Sequence, residues 1–203
     1  MGIHLLKQRS VFLDRDGVLN RAVVIEGKPF PPTRLEDVEI LPGTITSLQR
    51  LAEKDYYLIG ITNQPDVARG TQSRDVVESI NALILSKLPV REIFVCYHDD
   101  VDRCECRKPK PGLILQAAKK YNLDLSNSWF VGDRWKDIAA AKAAGLKTIF
   151  VDYHYTEIYK GLRADFVVNN TVVIADIILN STFIVNNDND TRFSKTIFGK
   201  DRL

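Results

Sequence analysis

The chain is predicted to be an α/β protein, an open, doubly wound parallel sheet covered by helices, on three observations. Short apolar runs alternate with helix-like segments along most of its 203 residues, the pattern of a parallel sheet covered by helices. The helix-like segments carry matching punctuation: Pro42 and Pro111 stand where a first helical turn tolerates proline, and Gly145 where a helix end favours glycine. Four of the apolar runs also end in reactive side chains, as strands of an open parallel sheet do when a ligand crevice lies outside their carboxyl ends.

In chain order, "SVFLD" (10–14) reads as the first strand, followed by "YYLIGITN" (56–63), "EIFVCYH" (92–98), "SWFVGD" (128–133), "KTIFVD" (147–152) and "ADFVV" (164–168). Each is short and rich in β-branched or aromatic residues. Helices are predicted over 42–55, 73–88, 111–122 and 136–145. Residues 1–180 therefore form one domain, and 181–203, rich in Asn and Asp and without a clear period, are left as a tail that is mobile or packed as a strap.

Composition narrows the function classes. Lys and Arg number 28 against 26 Asp and Glu, so a formal charge of +2 provides no general attraction to nucleic acid or anionic membrane, and an acidic ligand has to be held locally. No apolar run reaches the roughly 20 residues that span a bilayer, and "MGIHLLKQRS" has no signal-peptide h-region, so a cytoplasmic location is expected. A monomer is expected, with a homo-oligomer as the alternative. Three cysteines, an odd number clustered within eleven residues, suit metal ligation better than disulfides.

The first strand ends in "FLDRDGVLN", which places Asp14 and Asp16 two residues apart, and Gly17 allows the turn that follows. With Asp133 from a later strand end they offer hard oxygen ligands suited to Mg²⁺ working beside a phosphate. Asp14 is then the candidate nucleophile on phosphorus and Asp16 the candidate acid and base. Thr62 and Asn63 add hydroxyl and amide donors and Lys108 a positive charge, as phosphoryl transfer requires. The reading implied is a phosphomonoester hydrolase acting on a small phosphorylated metabolite.

The spacing C-x-H-x₅-C-x-C of Cys96, His98, Cys104 and Cys106 predicts a closed Cys₃His zinc site, structural because four protein ligands leave no position for water. The loop is too polar to be held by a core, and a metal crosslink there would aim Arg107 and Lys108 at the crevice.

Taken together, "FLDRDGVLN", "TNQPDVARG", "CRKPKPG" and "VGDRWKDI" resemble the motifs of the haloacid dehalogenase-like phosphatases, in the subgroup of heptose-1,7-bisphosphate and histidinol-phosphate phosphatases. The likeness covers residues 10–180. It implies a Rossmann-like core with little or no cap, Mg²⁺ held by Asp14, the Asp16 backbone carbonyl and Asp133, and Thr62 and Lys108 stabilising the phosphoryl group. It also implies that Arg107 and Arg69 face substrate. Arg134 stands where the heptose enzymes often have lysine, and Pro65 and Asp66 depart from the usual Ser-Gly pair. The match at Arg69 and Gly70 makes a phosphosugar of the heptose-bisphosphate type the expected substrate, with histidinol phosphate, whose phosphatases more often have the arginine at 134, and another small phosphomonoester as alternatives. A phosphoacceptor signalling domain, a nucleic-acid 3′-phosphatase and a noncatalytic zinc module are the rival classes. The first gains nothing from Asp16, and the second lacks a basic, aromatic groove.

Overall fold

A computed structural model describes residues 7–156 and 163–184. Six parallel strands form one sheet, with β1 (Ser10–Leu13) at its centre. On one side of β1 lie β4 (Tyr57–Asn63) and then β5 (Glu92–Cys96); on the other lie β6 (Trp129–Gly132), β7 (Lys147–Val151) and β8 (Phe166–Val168). The chain builds outward through β4 and β5, then returns across β1 to start β6. Connections from the two neighbours of β1 thus diverge to opposite sides, which opens a crevice above its carboxyl end.

Side chains of β1 alternate between two buried layers. Val11 and Leu13 join α1 (Thr44–Ala52), α2 (Arg74–Lys87) and α5 (Ile174–Ile184) through Leu48, Leu51, Ile80, Ile84 and Ile178. Phe12 faces the other way, toward α3 (Gly112–Tyr121) and α4 (Trp135–Ala143), among Leu113, Ala117 and Ala140. This period of two, buried on both faces, makes β1 a rigid base for the residues that follow it.

All six predicted strands and four predicted helices are present, with no end shifted by more than three residues. Two elements were not anticipated. A hairpin of β2 (Val23–Ile25) and β3 (Lys28–Phe30) follows β1, turning at Glu26 and Gly27, both in the left-handed region at φ 49° and 74°. Two such residues make the tight turn whose twist matches paired strands. Between β1 and β4 the only other elements are a 3₁₀ turn (Leu35–Asp37) and α1, so no cap domain stands among the described residues. The second is α5, which runs four residues past the expected domain edge at 180; the expected tail lies outside the described residues from 185 onward.

Candidate active site

β1 ends by delivering Asp14, whose backbone N–H donates to Val131 O of β6 at 2.9 Å, so the turn starts while still bonded to the sheet. Asp14 is 6% exposed. Its Oδ1 accepts from the Arg15 backbone N–H at 2.7 Å and lies 2.8 Å from Lys108 Nζ. Lys108, 3% exposed, spends its other protons on Asp137 Oδ1 at 2.6 Å and the Ile61 carbonyl at 2.9 Å, which accounts for all three donors of an ammonium. Burial works to lower the Lys108 pKa, but the Asp137 and Asp14 carboxylates outweigh it and raise it.

Asn63 positions that lysine. Its Nδ2 donates to Lys108 O at 3.0 Å and its Oδ1 accepts from Lys108 N–H at 3.1 Å, so its amide brackets the Lys108 backbone. This is a positioning use beside the substrate contact read from the sequence, which the second proton on Nδ2 leaves open.

Asp133 follows β6 and is 2% exposed, with neither carboxylate oxygen hydrogen-bonded, although the Tyr155 hydroxyl is close enough to interact. Oxygens of Asp14, Asp133 and Asp137 lie within 4.8 Å of one another. Burial, followed by the charges of Asp14 and Asp137, pushes the Asp133 pKa well above the carboxylate range; burial, then Asp137, pushes Asp14 up to about 7. Three buried carboxylates share one lysine, and the orphaned oxygens of Asp133 point to a missing positive charge. The donor set of hard oxygens fits Mg²⁺.

Gly17 makes this approach feasible. Its φ is +95°, and a Cβ there would fall 1.9 Å from Asp133 Oδ2. Only a residue without a side chain permits both.

Asp137 was missed in the sequence. It lies four residues after Asp133 in the first turn of α4, where its Oδ2 accepts from the Arg134 backbone N–H at 2.9 Å. The spacing G-D-x-x-x-D across a strand end and a helix start is the signal that could have found it. It was passed over because an acid in a first turn serves equally as a helix cap.

Asp16 stands outside the cluster of Asp14, Asp133 and Asp137 but near enough for its charge to add to the rise in the Asp14 pKa. It accepts from Arg15 Nε at 3.1 Å, Asn20 Nδ2 at 3.1 Å and Gln64 Nε2 at 2.9 Å. Thr62, 1% exposed, stands at the end of β4. Arg107 is 9% exposed and donates from Nε to Asp100 at 2.7 Å, while its buried Nη1 has no partner. Arg69 does not stand alone: it forks onto Asp99 at 2.7 Å through Nε and Nη2 and reaches Asp66 at 3.1 Å. One guanidinium thus serves two carboxylates, Asp99 with two bonds and Asp66 with one. Arg134 caps the start of α4 at the crevice.

Cys96 ends β5, and the loop beyond it closes a second cluster. Cys96 Sγ is 3.7 Å from His98 Nδ1 and 3.7 Å from Cys104 Sγ; Cys106 Sγ is 3.2 Å from Cys96 Sγ and from His98 Nδ1, and 3.4 Å from Cys104 Sγ. Ligands about 2.3 Å from a tetrahedral zinc lie roughly 3.8 Å apart, so the four atoms approximate the corners of such a site. Burial pushes the Cys96 and Cys106 thiols up, so a metal bound there has to displace their protons and its affinity falls as pH falls.

With this geometry in hand, comparison with known proteins assigns the family. A sequence model of HAD-hydrolase-like proteins matches residues 105–176. A D-glycero-beta-D-manno-heptose-1,7-bisphosphate 7-phosphatase from Pseudomonas aeruginosa is 35% identical over 151 residues, covering 72% of this chain and 82% of the relative. The chain belongs to the haloacid dehalogenase-like phosphatases. A D-glycero-alpha-D-manno-heptose-1,7-bisphosphate 7-phosphatase from Photorhabdus laumondii is 36% identical over 157 residues, covering 71% and 82%. Among solved structures, the D,D-heptose 1,7-bisphosphate phosphatase of B. bronchiseptica, complexed with magnesium and phosphate, superposes with a TM-score of 0.69 at 27% identity over 85% of this chain and 99% of that one. The family's Rossmann-like core is the sheet described above. No helix among the described residues is long and apolar enough to cross a membrane.

Proposed function

We propose that this phosphatase removes one phosphate from a small sugar bisphosphate of the D-glycero-D-manno-heptose-1,7-bisphosphate kind, with Mg²⁺ as cofactor and a phosphoryl group carried on Asp14. The observation that carries the reading is the meeting of Asp14 and Asp133, from two separate strand ends, with Lys108, from the loop before α3, within one buried pocket whose negative charge exceeds its positive. The relatives' substrates support the sugar, and because both alpha and beta enzymes occur among them, the anomer is left to experiment.

Asp14, Asp133 and the Asp16 backbone carbonyl would hold Mg²⁺, with Asp137 nearby. When bound it supplies charge neutralisation that lets a phosphate dianion approach the carboxylates. Asp14 Oδ1 is already engaged by Lys108 and the Arg15 N–H, so Oδ2 can attack phosphorus without either bond breaking. The P–O bond to the sugar breaks as Asp16 gives its proton to the leaving oxygen. Asp16 then takes a proton from water, water oxygen bonds to phosphorus, and the P–O bond to Asp14 breaks to release inorganic phosphate. Thr62 and Lys108 present donors to the phosphoryl oxygens, while Arg107, Arg69 and Arg134 line the approach and Asn63 keeps Lys108 in place. Cys96, His98, Cys104 and Cys106 would bind a structural zinc that fixes the loop carrying Arg107 and Lys108.

Phosphate release from both heptose bisphosphate anomers, histidinol phosphate and a 3′-phosphorylated oligonucleotide, with Mg²⁺ and with EDTA, tests the reading. One phosphate per heptose bisphosphate, released only with Mg²⁺, is expected. A higher kcat/KM on histidinol phosphate or the oligonucleotide would replace the substrate, and release from none of them would end the hydrolase reading.

A further inference from the structure

We infer that Gln64 is a positioning residue, which sets the acid/base carboxyl of Asp16 and the hydroxyl of Thr62 in one fixed arrangement and so governs protonation of the leaving group. The inference rests on the reading above, which gives Asp16 its proton duty. Gln64 follows β4 and is 1% exposed. Its Nε2 lies 2.9 Å from Asp16 Oδ2 and 2.9 Å from Thr62 Oγ1.

An amide nitrogen carries two protons and accepts none, so both contacts are donations. Whenever Asp16 is ionised between its proton transfers, the reversed amide would set Oε1 against a carboxylate oxygen with no proton between them. Asp16 thus dictates which way the amide points. Thr62 Oγ1, accepting from Gln64, keeps its own proton for another acceptor, and a phosphoryl oxygen above Asp14 would be one.

The other groups on Asp16 do not tie it to this strand. Asn20 belongs to the same turn as Asp16, and Arg15 is anchored to Asn81 of α2 at 3.0 Å. Among the side chains bonded to Asp16, Gln64 is the one that links it to the strand bearing Thr62. Its own backbone N–H donates to Cys96 O at 2.8 Å, so Gln64 also stands between the Cys/His cluster and the acid/base carboxyl.

The test compares two leaving groups. A sugar alkoxide needs a proton to depart, whereas the phenolate of p-nitrophenyl phosphate does not. Gln64→Met keeps side-chain length and removes both donors. Single-turnover rates would be measured for wild type and variant on p-nitrophenyl phosphate and on heptose 1,7-bisphosphate, or on whichever alkyl phosphate of the panel the wild type turns over fastest. The loss on the alkyl phosphate is expected to exceed the loss on the aryl phosphate by about tenfold or more, with KM moving by less than about threefold. Any effect through Thr62 falls on both substrates and cancels in that ratio. Equal losses on the two substrates, or no loss, overturn the inference while leaving the hydrolase reading intact. A wild type that releases nothing from either compound overturns both. Should Gln64→Met fail to fold in a thermal scan, Gln64→Glu, of the same shape and without an N–H, is judged by the same ratio.

Discussion

Replacing Asp133 by Asn should make the metal-free protein more stable while abolishing its activity. Both carboxylate oxygens of Asp133 are buried without a hydrogen-bond partner, beside two further buried carboxylates. A buried group left unsatisfied costs about 1–3 kcal/mol, more if charged, and asparagine replaces the charge by a neutral amide able to donate toward Asp14. A gain of about 2 kcal/mol in a chain of this size corresponds to roughly 4–8 °C in Tm. The pH dependence follows from the raised pKa of Asp133. The folded state keeps its proton after the unfolded chain has released it near the ordinary aspartate value of 3.8, so this group's contribution becomes less favourable as pH rises from there through the folded pKa. The benefit of asparagine should therefore be largest near pH 8 and shrink toward pH 4. Magnesium should reverse the ranking, because a ligand at a hundred times its Kd stabilises the protein that binds it by about 2.7 kcal/mol. Thermal unfolding of both proteins at pH 4 and pH 8, in EDTA and in excess Mg²⁺, measures all four cases. A variant that melts at or below wild type in EDTA at pH 8 would refute the claim that Asp133 is an uncompensated buried charge awaiting a cation.

Asp14→Asn should leave the fold intact by circular dichroism and lower steady-state phosphate release by more than about a thousandfold, since both the nucleophile and a metal ligand are impaired. Elemental analysis of protein purified without chelator should find about one zinc per chain. Cys104→Ser should then lower zinc content and Tm together, whereas a zinc-free wild type would remove the clamp from the account. Asn63→Ala takes away both bonds to the Lys108 backbone. It should reduce stability by about 1–3 kcal/mol in urea unfolding and depress kcat more than KM, while a predominant rise in KM would make it chiefly a substrate contact.

Much of this arrangement was legible in one dimension. Alternating strand and helix patterns placed β1, β4, β5, β6 and β7 to within three residues, because apolar runs bounded by Pro, Gly and Asp have few ways to be buried. The residues that end those strands, Asp14, Thr62, Cys96 and Asp133, could be named for the same reason. The helix α5 escaped because its exposed side is marked in the sequence by little more than Asp176 and Asn180 amid a nearly continuous apolar run, too narrow a polar stripe to announce a period. The hairpin escaped because its strands have three residues each and its side chains are largely exposed, leaving the Glu26-Gly27 turn as its one local mark.

What the linear chain settled on its own was which chemical groups exist and that a parallel sheet would bring its strand ends together. How those groups are deployed was decided by contacts across 45 to 48 residues: Asn63 bracketing Lys108 and Gln64 bridging to Asp16. Asp137, claimed by Lys108, and Arg69, drawn onto Asp99 and Asp66, belong to the same class. A side chain's type limits what it can donate or accept, but its partner is whichever group packing leaves within about 3 Å, and packing belongs to the folded chain as a whole.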